Sequence, residues 1–205
     1  MTEYLDTNHI WLSGTVLDAP QFSHEHLGES FFRCVLEVPR LSGHTDKLPV
    51  TLPGRLLIEP LRAGQALAVQ GQLRTYNRYI EGSHRLVLAV FVKRICQSDG
   101  DRCNEIQLTG TLCKTPIYRR TPLGREIADL LIAVNRGVKS DFIPCIAWGQ
   151  KAREIGDCAA GCRVHISGRM QSRAYEKQLP DGRMEDRLAY EVSVIGLEII
   201  KSEET

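Results

Sequence analysis

Arginine is the residue type with the clearest binding chemistry in this sequence. The 205-residue chain has 19 Arg against 7 Lys, and its 26 cationic side chains face 25 Asp and Glu. A planar guanidinium pairs with phosphate through two N–H groups and stacks on flat rings. The net charge of +1 excludes a strongly basic condensing protein and a polyacidic tail protein. It still allows a local cationic groove.

Residues that could perform catalysis or hold a metal are scattered. Of six His, only His24 and His26 are close in sequence. Seven Cys, an odd and dispersed number, predict reduced thiols rather than a disulfide framework. Cys158 and Cys162 stand four apart, but no second pair completes a zinc site. No nucleophile elbow, phosphate loop or spaced carboxylate pair is present, so we predict no enzyme, no metal and no cofactor.

The sequence contains an internal repeat at an offset of 96 positions. Residues 10–20 align with residues 106–116, and the alignment continues without a gap to Arg40 and Arg136, with 9 identities in 31 positions. Further glycines match after single-residue shifts. Two copies of one domain explain this pattern. The polar stretch 97–103 is typical of a linker, so we predict domains at 1–100 and 101–205.

Each copy has the pattern of a β domain. Apolar residues alternate or run continuously in five segments of the second copy, at 106–112, 127–134, 142–148, 164–168 and 188–200. Residues 150–160 predict a helix, because Ala152, Ile155 and Ala159 share one face. In the first copy, Pro60 predicts that the corresponding helix is short or broken. Gly14, Gly71, Gly110 and Gly168 predict bulges where a small barrel bends.

Five strands with a helix between the third and fourth is the order of an OB fold. We therefore predict an all-β protein of two tandem OB-fold barrels. Each is a five-stranded Greek-key barrel with one short helix between strands 3 and 4.

Several motifs of the second copy carry a family resemblance. In order, they are NEIQLTGTL from 104, PIYRRTPLG from 116, IAVNR from 132, DFIPCIAWGQKA from 141 and GCRVHISGRMQSRAY from 161. With these, the second copy resembles the bacterial single-stranded DNA-binding protein family over nearly its whole length. The first copy resembles it more weakly, through 10–20 and 70–75.

The resemblance implies binding of single-stranded DNA, tolerant of sequence, in replication, recombination or repair. At the family's stacking positions the second copy carries Phe142, Trp148 and Tyr175, and such positions hold unstacked bases on aromatic faces. Trp11, between Ile10 and Leu12, is expected to pack rather than to stack.

Cations flank the three aromatic positions and are expected to contact phosphates. In the second copy they are Arg119, Arg120, Arg136, Lys139, Lys151, Arg169 and Arg173. Their contribution should weaken steeply as salt rises, because binding releases counterions.

The first copy departs from the family at these positions. Pro53 stands opposite Trp148, Lys47 or Leu48 opposite Phe142, and Arg78 opposite Tyr175. Residues 1–100 carry 10 cations and 10 acids. Tyr76 as a stacking residue, with Arg74 and Arg78 on phosphates, could form a weaker platform there. We expect this copy to contribute more to assembly than to stacking.

The resemblance also implies partners. Family members assemble four OB domains, so two per chain predict a homodimer. The family's acidic tail with a terminal aromatic is expected to be missing, since the sequence ends at KSEET. Replication or recombination proteins are possible partners. No apolar run approaches the ~20 residues of a membrane span, and the start MTEY lacks the basic and then apolar stretch of a signal peptide. We therefore expect a cytoplasmic, nucleoid-associated protein without membrane contact. A replisome or primosome adaptor and an RNA-binding protein remain alternatives.

Overall fold

The computed structural model describes residues 6–80, 83–97, 102–179 and 182–200, and excludes the side chains of residues 78–80 and 83–85. Within these residues the chain forms twelve strands, one α-helix and one 3₁₀ turn. The strands are β1 (Thr7–Val16), β2 (Gln21–His26), β3 (Glu29–Pro39), β4 (Thr45–Pro53), β5 (Ala66–Ile80), β6 (Ser83–Cys96), β7 (Asn104–Leu112), β8 (Ile117–Arg120), β9 (Glu126–Arg136), β10 (Lys139–Trp148), β11 (Arg163–Gln178) and β12 (Met184–Ile200). The 3₁₀ turn is Gly54–Leu56 and the helix, α1, is Gln150–Gly156.

The twelve strands form two copies of one closed sheet. The first has the order β2-β3-β4-β6-β5-β1 and closes through β3 and β1. The second has the order β7-β11-β12-β10-β9-β8 and closes through β7 and β9. This confirms the prediction of two tandem OB-fold barrels. Leu, Ile and Val side chains of alternate strand positions fill both cores.

Each barrel has six strands rather than the predicted five. The additional strand, β2 or β8, folds back on the strand that follows it, β3 or β9. Every residue of β8 is exposed. Without a buried face there is no apolar alternation, which is why the sequence pattern missed it.

The helical segments are shorter than predicted. Helix α1 ends at Gly156, with Ala152 and Ile155 buried, whereas Ala159 lies beyond it and is exposed. The prediction of a helix to residue 160 is therefore wrong at its end. The first barrel has only the 3₁₀ turn, as the position of Pro60 indicated. No helix among the described residues has the length and apolar character that crossing a membrane requires.

Glycines lie where strands approach each other most closely. Register shifts occur at Gly71 and Gly168, as predicted for bulges. A Cβ at Gly71 or Gly168 would lie 2.3 Å from a backbone oxygen of the neighbouring strand. At Gly14 and Gly110 the corresponding distances are 2.6 and 2.4 Å. At all four positions a side chain would force the sheet apart.

The two barrels are joined by an antiparallel pairing of β1 with β7. The partners run from Thr7 opposite Thr109 to Leu12 opposite Asn104. Ile10 pairs with Ile106, which is its own equivalent in the sequence repeat. The two barrels are therefore related by a pseudo-twofold axis through this pair. The predicted boundary near Asp101 lies outside the described residues.

Two buried aspartates hold the barrels together on either side of that axis. Asp46 of β4 accepts hydrogen bonds from the backbone N–H of Ser172 (2.7 Å) and from Arg40 Nε (2.7 Å). Its equivalent, Asp141 of β10, accepts them from the Thr75 N–H (2.9 Å) and Arg136 Nε (2.9 Å). We refer to these two groups as the aspartate latches.

Asp46→Ala should destabilise the protein by about 3 kcal/mol, because it leaves Arg40 and the Ser172 amide without their acceptor at a buried site. Urea unfolding followed by circular dichroism measures the change. Asp18→Ala, an exposed loop substitution, is the matched control. Equal midpoints for the two variants would contradict the latch.

The buried carboxyl of Asp46 should also make the free energy of unfolding depend on pH. Burial alone would raise the pKa of the Asp46 carboxyl, but hydrogen bonds from Arg40 and Ser172 outweigh burial and hold that pKa below its ordinary value. The contribution is complete above the unfolded-state pKa and is lost as pH falls through the lower folded-state pKa. The difference between wild type and Asp46→Ala should therefore be constant at neutral pH and shrink below about pH 4.

Candidate nucleic-acid interface

Three aromatic side chains of the second barrel lie exposed on one face of its sheet. Phe142, Trp148 and Tyr175 have exposed fractions of 44%, 38% and 38%. Phe142 and Trp148 are six residues apart on β10, so they project from the same side about 20 Å apart. The register from β10 through β12 to β11 places Tyr175 on that side as well. All three rings can therefore be reached by a ligand along a single surface.

Trp148 belongs to a cross-strand row. It pairs with Ile127 of β9, which pairs in turn with Arg119 of β8. Ile127 is buried between its two neighbours. A flat ring and a guanidinium thus flank one apolar position, an arrangement that offers stacking and phosphate contact side by side.

Tyr175 lies on the extended part of the β11–β12 hairpin. The guanidinium carbon of Arg173 is 5.7 Å from its ring centroid. Its register partner on β12 is Arg187, which forms an ion pair with Glu185 at 2.6 Å. This arm therefore presents an aromatic ring beside the exposed guanidinium of Arg173, while the Arg187 side chain is largely covered.

Several of the predicted phosphate-binding arginines already contact carboxylates. Arg119 lies 2.9 Å from Asp129 and Arg173 lies 3.5 Å from Glu191. Arg120 lies 3.4 Å from Glu126. Arg120 and Arg119 are adjacent on a strand and point to opposite faces, so the structure does not bring Arg120 together with Trp148. Only the Arg119–Asp129 pair is exposed on both sides, whereas Glu126 is partly buried and Glu191 is buried. An exposed ion pair is weak, so a phosphate can replace Asp129.

Two other predicted cations belong to the contact between barrels. Arg136 is bound to Asp141 within one latch, and Arg169 lies 3.5 Å from Asp46 in the other. Both are partly exposed, whereas the aspartates are buried. Lys139, at the start of β10, is exposed, and Lys151, in α1, is half-buried.

In the first barrel, Tyr76 and Arg74 lie on β5 in a groove that also contains Arg33 and Phe91. The Arg78 side chain lies outside the described residues. Neither Arg33 nor Phe91 was predicted from the sequence. The repeat aligns Arg33 with Asp129, and this change of charge between the two copies was the signal that could have identified Arg33. Trp11 is half-buried, with its ring centroid 5.9 Å from that of His9.

Comparison with known proteins places the second barrel in a defined group. A family model described as "Single-strand binding protein family" matches residues 103–198. Single-stranded DNA-binding protein 3 of Streptococcus agalactiae is 39% identical over 83 residues, which cover 37% of this chain and 60% of that protein. Single-stranded DNA-binding protein B of Bacillus subtilis is 35% identical over 83 residues, 37% of this chain and 74% of that protein. The chain thus spans 60% of the length of the Streptococcus relative.

A solved structure matches both barrels. The wild-type single-stranded DNA binding protein from Thermus aquaticus superimposes with a TM-score of 0.76 at 21% identity, over 98% of this chain and 96% of that one. At this identity the similarity concerns the fold.

Proposed function

This chain belongs to the single-strand binding protein family, and from that membership we propose that it binds single-stranded DNA without base-sequence preference. As a member of a family of binding proteins, it is not an enzyme. The observation that carries the proposal is the exposure of Phe142, Trp148 and Tyr175 on one sheet face. Aromatic rings left in water at three family stacking positions are suited to unpaired bases, since every base has a π-face.

The affinity of this surface comes from two additive sources. Stacking contributes roughly 1–3 kcal/mol per base and tolerates any sequence. Arginines beside the rings contribute phosphate contacts. Arg119 can exchange its exposed partner Asp129 for a phosphate oxygen, and the exposed guanidinium of Arg173 can contact a phosphate beside the buried Glu191. In the free protein the carboxylates keep these guanidiniums beside the rings.

The biological setting follows from this activity. Single-stranded DNA is exposed during replication, recombination and repair, so the protein acts in one of these processes, in the cytoplasm and on the nucleoid. Proteins of those processes are its partner class. Two barrels per chain suit a homodimer that presents four.

Titration with oligo-dT should quench the emission of Trp148, since a stacked base contacts its ring directly. The Trp11→Phe variant makes this signal specific, because the chain has two Trp.

Phe142→Ala should weaken the binding of oligo-dT about tenfold, because one stacked base is lost. The matched control is Phe22→Ala, which removes an exposed ring of the first barrel away from these positions.

Three results would contradict the proposal. Unchanged emission together with no mobility shift at low salt would favour an adaptor without strand binding. An RNA of equal length that competes as well as oligo-dT would favour the RNA-binding reading. Equal losses for Phe142→Ala and Phe22→Ala would remove the stacking surface from the mechanism.

Substitutions at Arg119 and at its ion-pair partner Asp129 should change the affinity for oligo-dT in opposite directions. Arg119→Gln should reduce the slope of log affinity against log salt by about 0.7, the contribution of one phosphate contact on a single strand. Asp129→Asn should raise the affinity at low salt, because it removes the carboxylate that competes with phosphate. If both variants weaken binding equally, the pair has a structural role and Arg119 contacts no phosphate.

Light scattering should give twice the 23.0 kDa mass of one chain. Met184, Leu188 and Ile195 are large apolar side chains exposed along β12, and a second copy would bury such surface. A single-chain mass at micromolar concentration would contradict the homodimer.

A further inference from the structure

Asn8 and Asn104 each bond to the backbone of a neighbouring strand through both ends of the side-chain amide. Asn8 Nδ2 donates to the Leu73 carbonyl at 2.7 Å, and the Leu73 N–H donates to Asn8 Oδ1 at 2.8 Å. Asn104 makes the same two bonds with Met170, at 2.8 and 2.9 Å. The two asparagines are 96 positions apart, so they are equivalent in the sequence repeat. We refer to these two groups as the asparagine clamps.

Each clamp lies just beyond the point where a backbone ladder ends. The pairing of β7 with β11 stops at Ile106 opposite Gly168, the glycine of the bulge. Continued by two residues, that register would place Asn104 opposite Met170. A side-chain amide carries the N–H donor and the C=O acceptor of a backbone amide. The Asn104 side chain therefore replaces the ladder bonds that β11 loses when it bends away from β7.

Beyond Met170, strand β11 continues into an arm that has no core of its own. We define the arm as residues 172–178 of β11 and 184–190 of β12, which pair with each other. Met170 is fully buried, whereas every residue from Arg173 to Gln178 is exposed. An exposed two-stranded ribbon has little packing that could fix its direction. The direction of the arm is therefore set at its root.

The root of the arm is held from two sides within three residues. Asn104 of β7 holds both the N–H and the carbonyl of Met170. Asp46 of the first barrel accepts a hydrogen bond from the Ser172 N–H at 2.7 Å, within one aspartate latch. Asn104 itself lies in the β1–β7 ladder, opposite Leu12. The arm thus leaves its barrel at an angle that is fixed relative to the pairing of the two barrels.

The angle of the arm decides where the Tyr175 ring lies. Tyr175 is five residues beyond Met170, about 17 Å along an extended strand. A change of about 10° in the direction of the arm would move the ring by about 3 Å. The groups of a binding site act together only when they are held to within about 0.5 Å. A ring displaced by several times that distance would no longer meet the base that it stacks on.

We propose that Asn104 is a positioning residue for the binding of single-stranded DNA. Its clamp on Met170 aims the arm that carries Tyr175. The arm thereby brings that ring to the face on which Phe142 and Trp148 are exposed. This proposal rests on the proposed function, which supplies the bases. Asn104 makes no contact with DNA, and its effect on affinity passes through the arm.

The test is a double-mutant cycle on the affinity for oligo-dT, combining Asn104→Leu with Tyr175→Ala. Tyr175→Ala alone should weaken binding about tenfold, because one stacked base is lost. Asn104→Leu keeps a similar volume without the amide and should weaken binding about fivefold, because a misaimed ring retains only part of its stacking. In the Tyr175→Ala background it should have little further effect, because the ring that it positions is absent. Thermal unfolding shows that each variant is folded.

Asn8→Leu is the matched control, since it removes the same two bonds from the first barrel. Its effect on affinity, whatever its size, should add to that of Tyr175→Ala, because it acts on a different strand. Hydrogen exchange supplies a readout without DNA. Asn104→Leu should speed amide exchange in residues 171–178, and Asn8→Leu should not.

A second variant keeps the test open if Asn104→Leu does not fold. Asn104→Asp keeps the acceptor for the Met170 N–H and loses the donor to the Met170 carbonyl, and it enters the same cycle. The cycle should again show that its effect on affinity disappears in the Tyr175→Ala background.

The outcomes separate this proposal from the proposed function. If the Asn104 variant binds oligo-dT as tightly as wild type, or weakens binding equally with and without Tyr175, Asn104 does not position the ring and the function stands. If Tyr175→Ala leaves the affinity unchanged, the positioning role is overturned as well, while quenching of Trp148 still supports the function. If the wild-type chain fails to bind oligo-dT, both proposals are overturned.

Discussion

The antiparallel pairing of β1 with β7 fixes the position of one barrel relative to the other. It places Ile10 against Ile106 and so fixes a pseudo-twofold axis between the barrels. The aspartate latches then prevent rotation about that strand pair, because each joins a strand of one barrel to a backbone amide of the other. A buried carboxylate that accepts both an amide and a guanidinium bond tolerates little displacement. The outer faces of the two barrels are therefore held in one fixed relation.

Within this symmetric frame the two outer faces have diverged in opposite directions. The second barrel has exposed rings and arginines paired with acids, such as Arg119 with Asp129. The first has guanidiniums that lie over its own rings, as Arg74 covers Phe91 and Arg33 lies over Tyr76. One face offers surface for stacking and the other offers charge. Identical folds need not carry identical sites, since the core positions that define the barrel are separate from the outward positions.

The parts of this structure that could be predicted are those that produce a periodic or repeated pattern in the sequence. The barrels followed from the repeat and from buried alternation, and the exposed positions of Phe142, Trp148 and Tyr175 agree with their place in the motifs. Strands β2 and β8 left no trace because they have no buried face. The latches could not be predicted, since Asp46 and Ser172 meet only through the packing of two barrels. Nor could the groove, because Arg33, Arg74 and Phe91 are distant in sequence and converge through strand register.

The numbers of cationic and acidic residues do not reveal the cationic groove of the first barrel. Residues 1–100 contain 10 cations and 10 acids, which suggests a neutral surface. Yet Asp46 is buried with Arg40, Glu29 pairs with Arg55, and neither acid reaches the groove. Salt screens the interactions of surface charges beyond about 10 Å. A ligand therefore responds to the charges that line its own path and not to the net charge of the chain. A neutral chain can thus present a cationic path, provided that its acids lie away from that path.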